Sequence, residues 1–307
     1  MTTPTALEIM LSSPFTSAEA QRHGLDYFDL LRQNVRHASR ELYLPGEGEP
    51  AIADRVRSHL ALTPGAWASH RTSAALHGLW LPDQAADHSW LHLSKPSHLP
   101  RVRRDGVVGH RVRVLPDEVV QLERGILASS PARTWLDLGN ELGPVALVAL
   151  GDQLIRSPRP VFDGRSRPHT TKDALAEMLR GHPKMKGVAK CRAALADMRV
   201  GADSVQETLL RLCLLAYGFP EPELQIVLRP SDRFSFSADM GYRSIKVAIQ
   251  YDGDHHLTNE QRRRDARRDA AFRAAGWVVI IVTAEDRKDD FARVRAELRS
   301  LFATRAA

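Results

Sequence analysis

Residues 244–256 read SIKVAIQYDGDHH, an apolar run broken at Gln250 and followed by acids, a glycine and two histidines. Successive side chains of a strand point to opposite faces, so Gln250 and Asp252 share one face while Ile249 and Tyr251 share the other. A polar pair at the end of a central strand is costly unless its atoms are hydrogen-bonded or bind an ion. Asp239 is expected to end the preceding strand. Gly241 would then allow a tight reversal that brings Asp239 beside Gln250.

Reading outward, residues 205–217 pattern as a long helix, followed by strands at 225–228, 234–239 and 245–251. A basic helix is expected over 259–275, stopped by Gly276, then a strand over 277–283 and a last helix over 287–302. The order α-β-β-β-α-β-α puts helices against a mixed sheet within about 100 residues, enough for one independent core. Glu207 has two readings. Ser204 and Glu207 have the S-x-x-E spacing of a capping box, which would satisfy the helix start. Alternatively Glu207 faces the sheet edge and holds a reacting water.

Two carboxylates and an amide oxygen converging at Asp239, Gln250 and Asp252 suit Mg²⁺, a hard cation that prefers oxygen, with Mn²⁺ as the substitute. Such an ion positions a hydroxide and stabilises charge on a scissile phosphate. His256, the better placed of the two histidines, could transfer a proton or contact phosphate, although a surface turn is an equal reading. Between Gln261 and Arg273 stand six arginines against two aspartates. Arg263 and Arg267 are candidates to lie along a nucleic-acid backbone. A solvated charged face is the plain alternative.

The chain has 307 residues, more than one typical core, which suggests two or three domains. The boundaries expected are 5–48, 49–200 and 202–302. In the first, Thr16 and Glu19 form a capping box and Asp26 caps a third helix with Phe28, Leu31 and Val35 on one side. Residues 35–45 then read as a strand pair. Helix, turn, helix and basic hairpin make a small winged helix-turn-helix, with Arg32, Arg36 and Arg40 facing DNA. A miniature helical core that packs on its neighbour is the alternative. The α+β region at 49–200 carries a second basic stretch, five arginines against one aspartate between Arg101 and Arg113, including Arg101, Arg103 and Arg104. With a net charge of +6, both stretches agree with a polyanionic partner. No apolar run reaches the roughly 18 residues of a membrane span. The N-terminus lacks a secretory pattern, and Cys191 and Cys213 suit buried thiols in a reducing compartment, so a cytoplasmic location is expected.

The segments SVQETLLRLCLLAYGFPEPELQI, VAIQYDGDHH, RRRDARRDAAFRAAGW and VVIIVT resemble the family related to very-short-patch-repair endonucleases, within the PD-(D/E)XK nuclease superfamily. The resemblance covers about residues 204–299. It implies a restriction-endonuclease-like α/β fold and carries catalytic roles onto Glu207, Asp239, Gln250, Asp252 and His256. Gln250 stands where the motif normally has glutamate, which removes one negative charge, though some members of the superfamily carry glutamine there. Ile281 stands where many relatives carry arginine. FTSAEAQRHGL, ASHRTSAALHGLWLP and SSPARTWLDLG resemble bacterial proteins with an AbiEi-type antitoxin domain, over about residues 5–200. That resemblance implies a winged-helix repressor of a toxin–antitoxin operon, with no toxin partner identifiable in this chain.

Two functions follow. One is a Mg²⁺-dependent DNA endonuclease whose N-terminal region grips DNA, with paired half-sites favouring a homodimer. The other is a DNA-binding transcriptional regulator or antitoxin whose nuclease-like end is weak or inactive.

Overall fold

The computed structural model describes residues 5–159, 163–232, 234–252 and 259–305. Packing divides the chain into two compact units, Met1–Leu150 with His169–Ala196, and Gly151–Pro168 with Asp197–Ala307. Both mix helices and sheets. Among the described residues no helix is long and apolar enough to cross a membrane.

The first unit opens with short helices α1 (Ala6–Leu11), α2 (Ser17–Arg22) and α3 (Tyr27–Arg32). Capping boxes at Thr5, Thr16 and Asp26 start them, because each side chain accepts an otherwise unpaired N–H of the first turn. Strands β1 (Phe15–Thr16), β2 (Val35–Ser39) and β3 (Leu42–Pro45) form an antiparallel sheet of order β1-β3-β2. The core face of α3 differs from the expected one. Leu30 is buried against Phe15, Ala20 and Tyr43, whereas Phe28 and Leu31 are 67% and 64% exposed. A six-residue helix has room for one inward row, and Leu30 occupies it.

After α4 (Ile52–Ala61) come β4 (Trp67–Ala68), α5 (His70–Leu76), β5 (Leu91–Pro96), β6 (Val107–Val112), β7 (Val119–Gln121) and β8 (Leu127–Ser129). The five strands form one sheet of order β6-β5-β4-β8-β7. Leu91, Leu93, Val107 and Ala128 pack on one face against Val56 of α4. Ser130 caps α6 (Pro131–Asp137), and α7 (Pro144–Ile155), α8 (Lys172–Gly181) and α9 (Val188–Asp197) follow.

In the second unit α10 (Val205–Ala216) precedes β9 (Glu223–Val227), β10 (Ser237–Tyr242) and β11 (Val247–Asp252). Then come α11 (Asn259–Ala274), β12 (Val278–Thr283), α12 (Ala284–Lys288) and α13 (Ala292–Arg305). The sheet has order β12-β11-β10-β9 and is mixed, since β11 and β12 run parallel and the other pairs antiparallel. Val247 and Ile249 face Leu210 and Leu214 of α10 and Val294 and Leu298 of α13. Ala248 faces Phe272 of α11 and Trp277. Helices therefore cover both faces, and Gln250 on the Ala248 side points under α11. The last helix expected over 287–302 is instead two helices. Asp290 and Phe291 take positive φ of 49° and 56°, which breaks the helix and drives the buried Phe291 ring into the core.

Candidate functional site

Asp239 lies third in β10, inside the strand and not at its end. The reversal to β11 is a 3₁₀ turn over Arg243–Ile245 with Lys246 at φ 47°, so Gly241 does not make it. Gly241 serves close strand approach: a Cβ there would sit 2.2 Å from the Val247 carbonyl oxygen. The antiparallel register Met240↔Ile249 nevertheless sets Asp239 opposite Gln250. A local irregularity aims the carboxylate. Gln225 on β9 holds a positive φ of 49°, and around it the strand faces exchange. Ile226 and Ala238 pack toward Phe272, while Leu224 and Met240 pack toward α10. Such breaks in a ladder re-aim side chains beside functional sites. The Asp239 Oδ2 accepts the Tyr251 N–H at 2.8 Å, and Gln225 Nε2 donates to Asp203 Oδ2 at 3.2 Å.

Gln250 is 2% exposed, and neither its Oε1 nor its Nε2 has a hydrogen-bond partner among the described residues. Two orphaned amide atoms in a buried side chain carry a desolvation cost of about 1–3 kcal/mol for each group. Gln250 also lines an open cleft of about 460 Å³, together with Asp239, Asp252, Arg262, Arg268 and Ile281. Asp252 is exposed at its mouth. Ile281, in register with Gln250 on parallel β12, also lines the cleft. The face of α11 turned to the cleft holds Arg262, Asp265, Arg268 and Asp269. Arg268 is paired with Asp265 at 2.9 Å and Asp269 at 3.2 Å. The sequence reading named Arg263 and Arg267, which are exposed and do not line it. Helical spacing from Arg262 would have marked the inward row.

Glu207 is buried at the start of α10 and makes cap contacts. Its Oε2 accepts the Asp203 N–H at 2.9 Å and its Oε1 accepts the Ser204 hydroxyl at 2.8 Å, while Ser204 Oγ accepts the Glu207 N–H at 3.2 Å. Burial, and then the nearby Asp239 carboxylate, push the Glu207 carboxyl up to about 8. Burial also raises Asp239, against the opposing pull of the Tyr251 N–H and Arg268. Glu207 thus joins both readings: it caps α10 and shares an electrostatic field with Asp239. His256 lies outside the described residues.

The N-terminal arginines divide by what they touch. Arg36 is turned onto its own hairpin, donating to the Pro45 and Gly48 carbonyls and pairing with Glu49 at 2.6 Å. Arg32 is exposed beside Asp29. Arg40, Arg101, Arg103 and Arg104 line one open groove of about 680 Å³. Arg104 is partly spent within it, donating to Ser39 Oγ at 3.0 Å and to the Arg40 carbonyl. Ser69, at the start of α5, makes no cap bond, and its hydroxyl meets the His70 ring and Ser94 instead.

No family model matches the chain. It is similar to two proteins of Mycobacterium tuberculosis described as uncharacterized, from strains CDC 1551 and H37Rv, each 26% identical over 228 residues. The match covers 74% of this chain and 78% of each relative.

Proposed function

We propose that the second unit is a divalent-metal-dependent DNA endonuclease domain with a restriction-endonuclease-like fold, and that the first unit grips duplex DNA through a winged helix and the adjoining arginine groove. The observation that carries the reading is Gln250, buried opposite Asp239 with both amide atoms unpartnered at the edge of an acidic cleft. An orphaned amide oxygen between two carboxylates fits an all-oxygen ligand set for Mg²⁺ or Mn²⁺. Asp239, Gln250 and Asp252 would hold the ion, which when bound supplies positive charge against the scissile phosphate. Arg262 at the cleft wall offers the phosphate a charge-assisted hydrogen bond. Glu207, holding its proton near neutrality in the metal-free site, supplies a group able to orient the attacking water.

Purified full-length protein titrated with Mg²⁺ and Mn²⁺ against supercoiled and linear DNA is expected to cut only with an ion present. Mn²⁺ should be effective at the lower concentration. Asp239→Ala and Asp252→Ala are expected to lose cleavage and keep DNA binding, and Gln250→Glu to preserve or raise activity at low metal. Failure of both ions across a broad sequence pool would sink the enzyme reading. The second reading, a DNA-binding regulator with an inert nuclease-like domain, is favoured by Glu207, whose two oxygens are both engaged at the α10 cap. Cleavage by Gln250→Glu alone would select it.

Either reading requires the first unit to hold DNA. Arg40→Ala and Arg103→Ala are each expected to weaken duplex binding at all sequences and to lower the slope of log affinity against log salt by about 1. Arg36→Ala should act through the hairpin, lowering thermal stability, because its guanidinium already serves the 45–49 loop. An unchanged salt slope in the folded Arg40→Ala/Arg103→Ala protein would remove this groove from the interface.

A further inference from the structure

We infer that His70, His92 and His110 of the first unit form a transition-metal site selective for a Zn²⁺-like ion and separate from the acidic cleft of the second unit. One nitrogen from each ring lies within 4.8 Å of the others. His92 and His110 project from the same face of the parallel pair β5–β6, opposite the apolar face that carries Leu91, Leu93 and Val107. Their Nδ1 and Nε2 atoms stand 3.1 Å apart. His70 reaches the same spot from the first residue of α5, where it is held at a positive φ of 48°. That conformation costs a non-glycine residue of order 1–3 kcal/mol, and strain of this kind collects at ligand sites.

The surroundings orient the rings. The fully buried Ser69 hydroxyl meets His70 Nδ1 at 3.0 Å and is itself fixed by Ser94 at 2.7 Å, which leaves His70 Nε2 as the ligand atom. This is the outer-shell contact that metal-binding histidines use to fix tautomer and direction. Three imidazoles without a thiolate or carboxylate suit Zn²⁺, Co²⁺, Ni²⁺ or Cu²⁺ and not Mg²⁺. With Zn–N bonds of about 2.0–2.1 Å, tetrahedral ligand nitrogens stand roughly 3.3 Å apart. The His92–His110 pair is already near that spacing. The His70 and His110 rings are stacked with centroids 3.8 Å apart, so loading requires one of them to turn about its Cβ–Cγ bond. His110 is half-buried, the least enclosed of the three. Burial disfavours protonation of all three rings, with His70 and His110 pushed down to about 3, and the His92–His110 contact gives way when an ion takes both nitrogens.

The test uses the full-length chain, stripped with chelator and titrated with Co²⁺ and then Zn²⁺. One equivalent of Co²⁺ should bind with the intense visible bands of a low-coordinate nitrogen-rich site, and Zn²⁺ should displace it. His92→Gln and His110→Gln should each weaken binding by about 100-fold or more, and Ser69→Ala by about tenfold. Asp239→Ala and Asp252→Ala should leave it unchanged. Far-UV circular dichroism checks folding, and the decision rests on His110→Gln because its side chain is the least buried of the three. No binding of Co²⁺ or Zn²⁺ at micromolar concentrations would overturn the inference. So would intense visible bands that survive His110→Gln, or bands lost in Asp239→Ala.

Discussion

Arg133→Met is expected to lower the unfolding free energy of the protein by about 3–5 kcal/mol, the usual cost of removing one partner from a buried ion pair. Arg133 is 1% exposed and joins three parts of the first unit. Its Nε donates to Asp137 Oδ1 at 2.8 Å, and its Nη1 donates to Glu118 Oε2 at 2.6 Å and to the Arg113 carbonyl at 2.9 Å. Glu118 in turn meets His182 Nε2 at 2.5 Å, and Asp137 accepts the Ser129 hydroxyl at 3.0 Å. Methionine fills much of the space and leaves two buried carboxylates without the guanidinium, Glu118 keeping its contact with His182. Arg133→Lys should recover little, because an ammonium cannot meet Asp137, Glu118 and a carbonyl in the directions a guanidinium fork allows. Adding Glu118→Gln and Asp137→Asn to Arg133→Met should restore much of the loss, since the desolvated charges are then gone. Urea unfolding at pH 7 measures each step. A loss under about 1 kcal/mol for Arg133→Met would mean that water reaches the carboxylates and that the network does not hold the unit together.

The sequence carried the second unit further than the first. Alternation along 247–252 put Gln250 and Asp252 on one face, and the structure has them at one cleft. The α-β-β-β-α order of the unit was legible as well, because α10 and the strands carry an apolar pattern, the run of arginines marks α11, and Gly276 ends that helix at a positive φ of 81°. Asp239 was found for an incomplete reason. Gly241 read as a turn, yet it is a close-approach glycine, and the aim of Asp239 comes from the break at Gln225. A positive φ at glutamine is imposed by packing and leaves no mark in composition. The same holds for Asp290 and Phe291, where burial of one ring overrides helix propensity. In the first unit, periodicity could not rank Leu30 above Phe28 and Leu31, since a helix of six residues offers too few turns to define a face. Charge counting found the arginine groove but could not separate Arg103 and Arg40, which is exposed beside Glu41, from Arg36 and Arg104, which are engaged by local carbonyls. The histidine trio was readable in part. His92 and His110 alternate with apolar neighbours on two strands, but only the register Ser94↔His110 and the bend at His70 bring the rings together.

The metal-free second unit is expected to lose stability as pH rises from about 5 to 8.5, and a divalent ion is expected to return it at the alkaline end. Glu207 is raised from an ordinary 4.5 to about 8 by burial and by Asp239, and Asp239 is raised in the same direction by burial. Two buried carboxyls in one field cannot both ionise cheaply, so the folded pair retains a proton that the unfolded chain has released. The folded state binds more protons across this window, and stability therefore falls with increasing pH. The contribution is fully present below about 4.5 and is lost as pH passes through about 8. For Glu207 alone that interval corresponds to roughly 5 kcal/mol, at about 1.4 kcal/mol for each tenfold change in proton activity. Glu207→Gln should flatten most of the slope while costing about 1 kcal/mol at low pH, because one amide end cannot accept the Asp203 N–H. Asp239→Asn should flatten it in part and still accept the Tyr251 N–H. Millimolar Mg²⁺ should raise stability at pH 8.5, where the pair has lost its retained proton, and change little at pH 5, where the pair keeps it. Chemical denaturation at several pH values, with Mg²⁺ and with chelator, reads all of these effects. A slope that persists in Glu207→Gln would assign the titration to other groups. A Mg²⁺ effect equal at pH 5 and pH 8.5 would separate the ion from this pair of carboxylates.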